Sequence, residues 1–236
     1  MKTTKSNFMD DLKGEHVLAN FLDKYLYEKL EIQTFFRNTP DKNNYLSNQF
    51  KGIDVSFTSN RFDYIVDEKA TLYYPNGLPT FAFELSYKKD NMWHPGWFYD
   101  ETKETGYYLL AWPQRQDVKL SELKMEHIQK VEVMLLCRKD LQEYLDKNYG
   151  FNKTNIQIAV DEIIKAKKYG RLHTISDSSP HYYFYTANLS ETPINLVIHK
   201  KTLQKLALFH FVIYRNKPYA QNSNSNKWLI PPFKSI

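Results

Sequence analysis

The sequence predicts an α/β protein, a mixed central sheet flanked by helices, and three observations carry that expectation. Apolar residues at Phe8, Leu12, Leu18, Phe21, Leu22, Tyr25, Leu26 and Leu30 recur at helical spacing, so the chain opens on a long amphipathic helix. Three runs rich in β-branched and aromatic residues follow at 51–57, 64–70 and 80–85, separated by turn residues. Beyond residue 114, strand-like and helix-like apolar patterns alternate towards the carboxyl terminus.

Taken in order, a first strand is expected at 32–37, then a polar loop with Pro40, Asp41, Asn43 and Asn44. Strands are expected near 48–58, 61–73 and 79–87, with Pro75-Asn76-Gly77 turning the chain before the third. The segment 88–105 reads as a loop dense in charge and aromatic rings. Strands at 107–112 and 131–137 precede helices at 140–147 and 155–168. A polar turn at 176–180 leads to strands at 181–185 and 193–199 and a helix at 200–209. The tail holds an Asn-Ser loop at 221–226 and an apolar segment, 228–233, expected to dock back on the domain.

With 236 residues, 42% hydrophobic and 16% aromatic, the chain can bury a sizeable core, which excludes a disordered protein or a coiled coil. One globular unit is expected, with residues 1–138 as its core and 139–236 as a carboxyl-terminal extension packed on it; the half after residue 114 would serve as extra packing, a specificity element or a dimer surface. Cys137 is the only cysteine, which excludes an internal disulfide and fits a reducing compartment. No 18-residue apolar segment or signal-peptide core is present, so a cytoplasmic protein without membrane contact is expected. The net charge of +5 is compatible with a polyanionic partner.

Several chemistries are unsupported. There is no Gly-x-Ser-x-Gly elbow, no phosphate-cradling glycine loop among 7 glycines, and no helix-turn-helix or zinc-finger spacing. His16 and His94 have no partner at zinc-ligand spacing. The acids are more informative. Asp54 alternates against Ile53, Val55 and Phe57, and Asp67 shares a strand face with Lys69 while Glu68 faces the other way with Val66 and Ala70. Acids gathered at the edge of a β core repel each other unless a cation neutralises them, and Mg²⁺, with its preference for oxygen ligands, suits that task.

Gly52-Ile53-Asp54, followed thirteen residues after the acid by Asp67-Glu68-Lys69, resembles the PD-(D/E)XK nuclease superfamily of restriction endonucleases and Holliday junction resolvases. Ile53 replaces the proline of the family pattern, and the resemblance covers roughly residues 8 to 113. It implies a restriction-endonuclease-like fold and a Mg²⁺-dependent endonuclease, with Mn²⁺ as a substitute cofactor and nucleic acid, DNA ahead of RNA, as partner. Asp54, Asp67 and the backbone carbonyl of Glu68 would hold the metal, and Lys69 would orient the attacking water or stabilise developing charge. Glu15, on the inward side of the first helix, matches an acid that many members direct at the metal; the alternative is a boundary residue that pairs with a lysine. Glu84, on the run after Lys69, would add a ligand or hold Lys69, or else form a structural ion pair. Lys88 and Lys89, and the cluster Lys165, Lys167, Lys168 and Arg171, are candidate phosphate contacts, a solvated helix end being the alternative for the cluster. Trp93 and Trp97 would stack on bases or anchor their loop. The competing function class is a catalytically inactive nucleic-acid-binding or interaction protein of the same fold.

Overall fold

A computed structural model of the protein describes residues 8–172, 179–185, 191–216 and 220–222. The elements in order are α1 (Phe8–Tyr25), β1 (Thr34–Arg37), α2 (Tyr45–Phe50), β2 (Val55–Ser59), β3 (Phe62–Ala70), β4 (Thr80–Lys89), β5 (Met92–Pro95), β6 (Tyr107–Arg115), β7 (Ile128–Cys137), α3 (Arg138–Tyr149), α4 (Lys153–Ala166), β8 (Gly170–Leu172), β9 (His181–Phe184), β10 (Ile194–His199), α5 (Lys200–Leu206), β11 (Phe209–Tyr214) and β12 (Ala220–Asn222). The protein is therefore mixed α/β, as its sequence predicts, with two sheets. No helix among the described residues is long and apolar enough to cross a membrane.

Two compact units divide the chain, and each is discontinuous in sequence. The first draws on Asn7–Leu78, Glu104–Arg138 and Leu206–Ile236. Its sheet has seven strands in the order β1-β2-β3-β6-β7-β11-β12, and the parallel pair β3–β6 makes it mixed. Leu18, Phe21 and Leu22, on one stripe of α1, and Leu26 just after it pack with Val55, Phe57, Tyr64, Val66, Leu109, Ala111, Val131 and Val133 in a single apolar core. A fully buried side chain of this size contributes about 1.5–3 kcal/mol, so the stripe fixes the helix to the sheet face bearing Val66.

The second unit comprises Pro79–Lys103 and Lys139–Lys205, besides the amino-terminal residues outside the described range. Its five strands run β5-β4-β10-β9-β8, all antiparallel. Phe83, Phe98, Ile194, Leu196 and Ile198 are fully buried, and α4 buries Ile156, Val160 and Ile163. The division expected at residue 138 thus coincides with one boundary only. Strands β4 and β5 belong with the later part of the chain, and β11, which the sequence reading missed, returns to the first sheet beside β7.

Other corrections are local. Residues 45–50 form α2 rather than the start of a strand, and the helix stops where Gly52 takes φ 71°, a left-handed conformation that glycine adopts without strain. The expected loop at 88–105 contains β5, which pairs with β4 through Asp90 (φ 51°) and Asn91 (φ 63°), both left-handed as a two-residue hairpin turn requires. Most of the turn expected at 176–180 and of the loop expected at 221–226, and all of the segment 228–233, fall outside the described residues.

Gly96 is the tightest backbone approach in the second unit. It donates its N–H to the Leu85 carbonyl at 2.8 Å, and a Cβ there would lie 2.4 Å from the Glu84 carbonyl oxygen. Gly96→Ala should lower the unfolding free energy by about 1–3 kcal/mol, because the obstacle is strand backbone and cannot swing aside. Denaturant titration checks this, and an unchanged midpoint would refute the close approach.

Candidate active site

Asp54 is fixed by the backbone before its side chain does anything. Its N–H donates to the Val66 carbonyl at 3.0 Å, and its own carbonyl accepts from the Asn38 N–H at 2.8 Å. The residue therefore lies at the mouth of β2, held from both neighbouring strands. Its carboxylate Oδ2 accepts the N–H of Glu68 at 2.8 Å, which brings it against the centre of Asp67-Glu68-Lys69.

Strand alternation sorts that triplet. Tyr64 and Val66 are buried in the core shared with α1, so Asp67 and Lys69 project from the opposite face. Lys69 Nζ donates to Asp67 Oδ1 at 2.6 Å, and the Asp67 residue is only 2% exposed. Glu68 points the other way. Its carboxylate accepts from the Tyr27 hydroxyl at 2.8 Å and from Arg37 Nη1 at 2.7 Å and Nη2 at 3.1 Å. Arg37 also binds Asp23, with Nε 2.8 Å from either oxygen. Asp67 thus faces with Lys69, which leaves Glu68 only its main-chain groups for the site.

The charges in this cluster act on one another. Burial, then the Asp67 charge, raises the Asp54 carboxyl to about 7, against the opposing pull of Lys69 and the Glu68 N–H. Burial disfavours the Lys69 ammonium, but Asp67, Asp54 and Glu15 outweigh it and hold its pKa above that of an ordinary lysine. Glu15, on α1, has its carboxyl raised by crowding of protein atoms, partly offset by Lys69 and reinforced by Asp54. The outer surface of Glu15 is nonetheless exposed. On the other face, burial opposes the Arg37 charge, and Glu68 and Asp23 more than restore it.

A carboxyl near 7 beside a second carboxylate marks a pair short of positive charge. Two carboxylates and one carbonyl are the hard oxygen donors that suit Mg²⁺, which binds through one or two acids and keeps several waters. The donor set fits in that respect. Among the described residues, no three His, Cys, Asp or Glu side chains converge closely enough to hold a metal, so Glu15 is within electrostatic range without completing a three-acid cage.

Other predicted residues fall elsewhere. Glu84 is not on a strand next to Asp67: β4 lies in the five-stranded sheet, where Glu84 opposes Asn195 of β10. The run after Lys69 leaves the first sheet altogether, and β3 takes β6 as its neighbour. Lys88 and Lys89 end β4, Lys165 lies in the last turn of α4, Lys167 caps it with Lys168 following, and Arg171 is on β8, all in the second unit. Trp93 and Trp97 both meet core rings, Phe184 at 5.9 Å and Phe83 at 5.6 Å. That is the anchoring alternative. The Tyr27–Arg37–Asp23 network around Glu68 had no sequence signal, since its members carry no diagnostic spacing. No protein-family model, curated protein or solved structure matches this chain.

Arg37→Ala would strand Glu68, whose side chain is 13% exposed, and Asp23 without their cation. It should cost about 3 kcal/mol or more, and Arg37→Lys should recover only part, lacking the two-pronged geometry. Thermal melts check this; an unaltered melt for Arg37→Ala would show the network to be incidental. Asp54 makes a pH prediction. Its folded value, about 7, lies above the ordinary 3.8, so the folded state holds an extra proton between them. The corresponding stability is complete below 3.8 and lost as pH rises through about 7. In EDTA, Asp54→Asn should therefore match wild type in acid and exceed it in stability above neutrality. Parallel pH-dependence curves for the two proteins would refute this assignment.

Proposed function

We propose that this protein is a Mg²⁺-dependent nuclease of the PD-(D/E)XK kind, with a restriction-endonuclease-like first unit, that hydrolyses phosphodiester bonds of nucleic acid, DNA foremost. The observation that carries the reading is the Asp54–Asp67–Lys69 cluster. Two acids are held together, one just before β2 and one on β3, with a lysine ammonium 2.6 Å from the latter. A Mg²⁺ bound by Asp54, Asp67 and the Glu68 carbonyl would supply a water of lowered pKa and neutralise phosphate charge.

The chain's own groups have separate tasks. Lys69 stays protonated at neutral pH, so it serves as a fixed cation and hydrogen-bond donor towards an oxygen gaining negative charge, rather than as a base. Glu68 keeps β3 in place from both sides: its N–H holds Asp54 and its carboxylate is gripped by Arg37 and Tyr27. Lys88, Lys89, Lys165, Lys167, Lys168 and Arg171 are proposed phosphate contacts, whose mark would be a steep fall of binding with salt. A second reading, an inactive nucleic-acid-binding member of the same fold, is favoured by one observation: the Lys69 ammonium is already engaged by Asp67.

A cleavage assay on duplex, branched and single-stranded substrates with Mg²⁺ and Mn²⁺ separates the readings. Asp67→Asn should cost several orders of magnitude in rate and weaken Mg²⁺ binding by calorimetry. Inactivity of wild type on every substrate would leave the binding protein. At subsaturating Mg²⁺, cleavage should rise as Asp54 ionises through about pH 7. Added Mg²⁺ should move that rise to lower pH, because metal and proton compete for the same carboxylates. A profile indifferent to Mg²⁺ concentration would remove Asp54 from the ligand set.

A further inference from the structure

A second concavity lies in the same unit as the acid cluster. It has a volume of about 300 Å³ and is bounded by α1, β1 and the loop after β1, with Asn20, Asp23, Phe35, Phe36, Arg37 and Lys42 among the residues of its wall. Phe35 and Arg37 alternate onto the strand face turned to α1, since Arg37 reaches Asp23 and Phe35 packs on Tyr27 with ring centroids 5.1 Å apart. Phe35 nevertheless stays 41% exposed. An aromatic ring fixed from behind and open in front is a stacking platform with little ordering entropy left to lose.

The remaining wall selects the ligand. Arg37 is held by Asp23 and Glu68 through Nε, Nη1 and Nη2, which also neutralises the Asp23 carboxylate in the wall, so it forms a rigid floor. Asn20 is exposed and its amide makes no hydrogen bond among the described residues, leaving a donor and an acceptor for an edge that carries both. Lys42 is half exposed and its ion pair with Asp41 is long, at 3.7 Å. A flat ring, an edge with mixed donors and acceptors and a neighbouring negative charge together describe a nucleotide. The floor also reaches the strand that bears the acids, because Arg37 grips Glu68, whose side chain lies on the face of β3 opposite Asp67 and Lys69.

We propose that this pocket receives a nucleobase of the bound strand, stacked on Phe35 with its edge on Asn20 and its phosphate near Lys42, a subsite that rests on the nuclease reading above. A base reaching it leaves its own stack, so single-stranded or locally opened nucleic acid is the form recognised.

The test uses the full chain carrying Asp54→Asn, which keeps the strand intact, and single-stranded oligodeoxynucleotides containing 5-bromodeoxyuridine. Ultraviolet cross-linking followed by tryptic mapping should place the adduct on the peptide 30–37. Phe35→Leu should weaken strand binding about tenfold, the scale of one stacked base, while Phe35→Tyr restores it. Mg²⁺ binding measured in the otherwise wild-type chain should be the same with Phe35 or Leu at that position. Adducts confined to other peptides, or unchanged affinity in Phe35→Leu, would overturn the subsite while wild-type cleavage upheld the nuclease. Adducts with free bromodeoxyuridine monophosphate but none with the strand would overturn it in favour of a free-nucleotide pocket. Absence of any nucleic-acid binding, with no cleavage by wild type, would overturn both.

Discussion

Two carboxylates drawn together out of water raise each other's free energy, and Asp54 and Asp67 are held in that situation by backbone hydrogen bonds they cannot evade. The Asp54 main chain is bonded to Val66 on one side and Asn38 on the other, so its side chain can relax only by taking up a proton or a cation. Lys69 provides one positive charge, and the Glu68 N–H provides a dipole. Against them, burial and then the Asp67 charge still raise the Asp54 carboxyl. Everything that holds β2, β3 and α1 in position is therefore also holding an electrostatic deficit in place.

The opposite face of β3 supplies much of that restraint. Glu68 is gripped by Arg37 and Tyr27, and Arg37 in turn by Asp23 on α1, so a single guanidinium joins the first helix, the edge strand and the strand bearing the acids. Tyr27 also lies against Phe35 and Phe57, at 5.1 and 6.0 Å between centroids, which links the polar network to the apolar core. Removing a partner from such a network leaves a half-buried charge behind, which is why it specifies one geometry more firmly than its net energy suggests. The wall of the Phe35 pocket is built from the same residues, so recognition and positioning would share one rigid element.

The period-2 pattern of residues 64–70 fixed which side chains share a face, because in a strand that assignment follows from covalent geometry and needs no partner. Asp67 with Lys69, Glu68 with Val66, and the apolar stripe of α1 were all legible for that reason. So were the α/β class and most helices, where the apolar period continues over many residues. Local turn chemistry was less legible: Asp90-Asn91 reverses the chain as surely as Asn-Gly, but without a glycine the hairpin reads as a charged loop.

Strand partners were a different matter. The sequence presented β4 next in line after β3, and a meander was the economical expectation. The structure instead pairs β3 in parallel with β6 across an excursion that contributes β4 and β5 to another sheet. Pairing depends on which apolar faces meet at long range, a property of the folded whole that no window of sequence contains. For the same reason Glu84 falls on a strand of the other sheet, and Arg37, distant in sequence from Glu68 by 31 positions, grips its carboxylate. The sequence by itself determined the chemistry available on each strand face; the tertiary structure decided which faces became neighbours, because only packing brings separate segments within range of each other's charge.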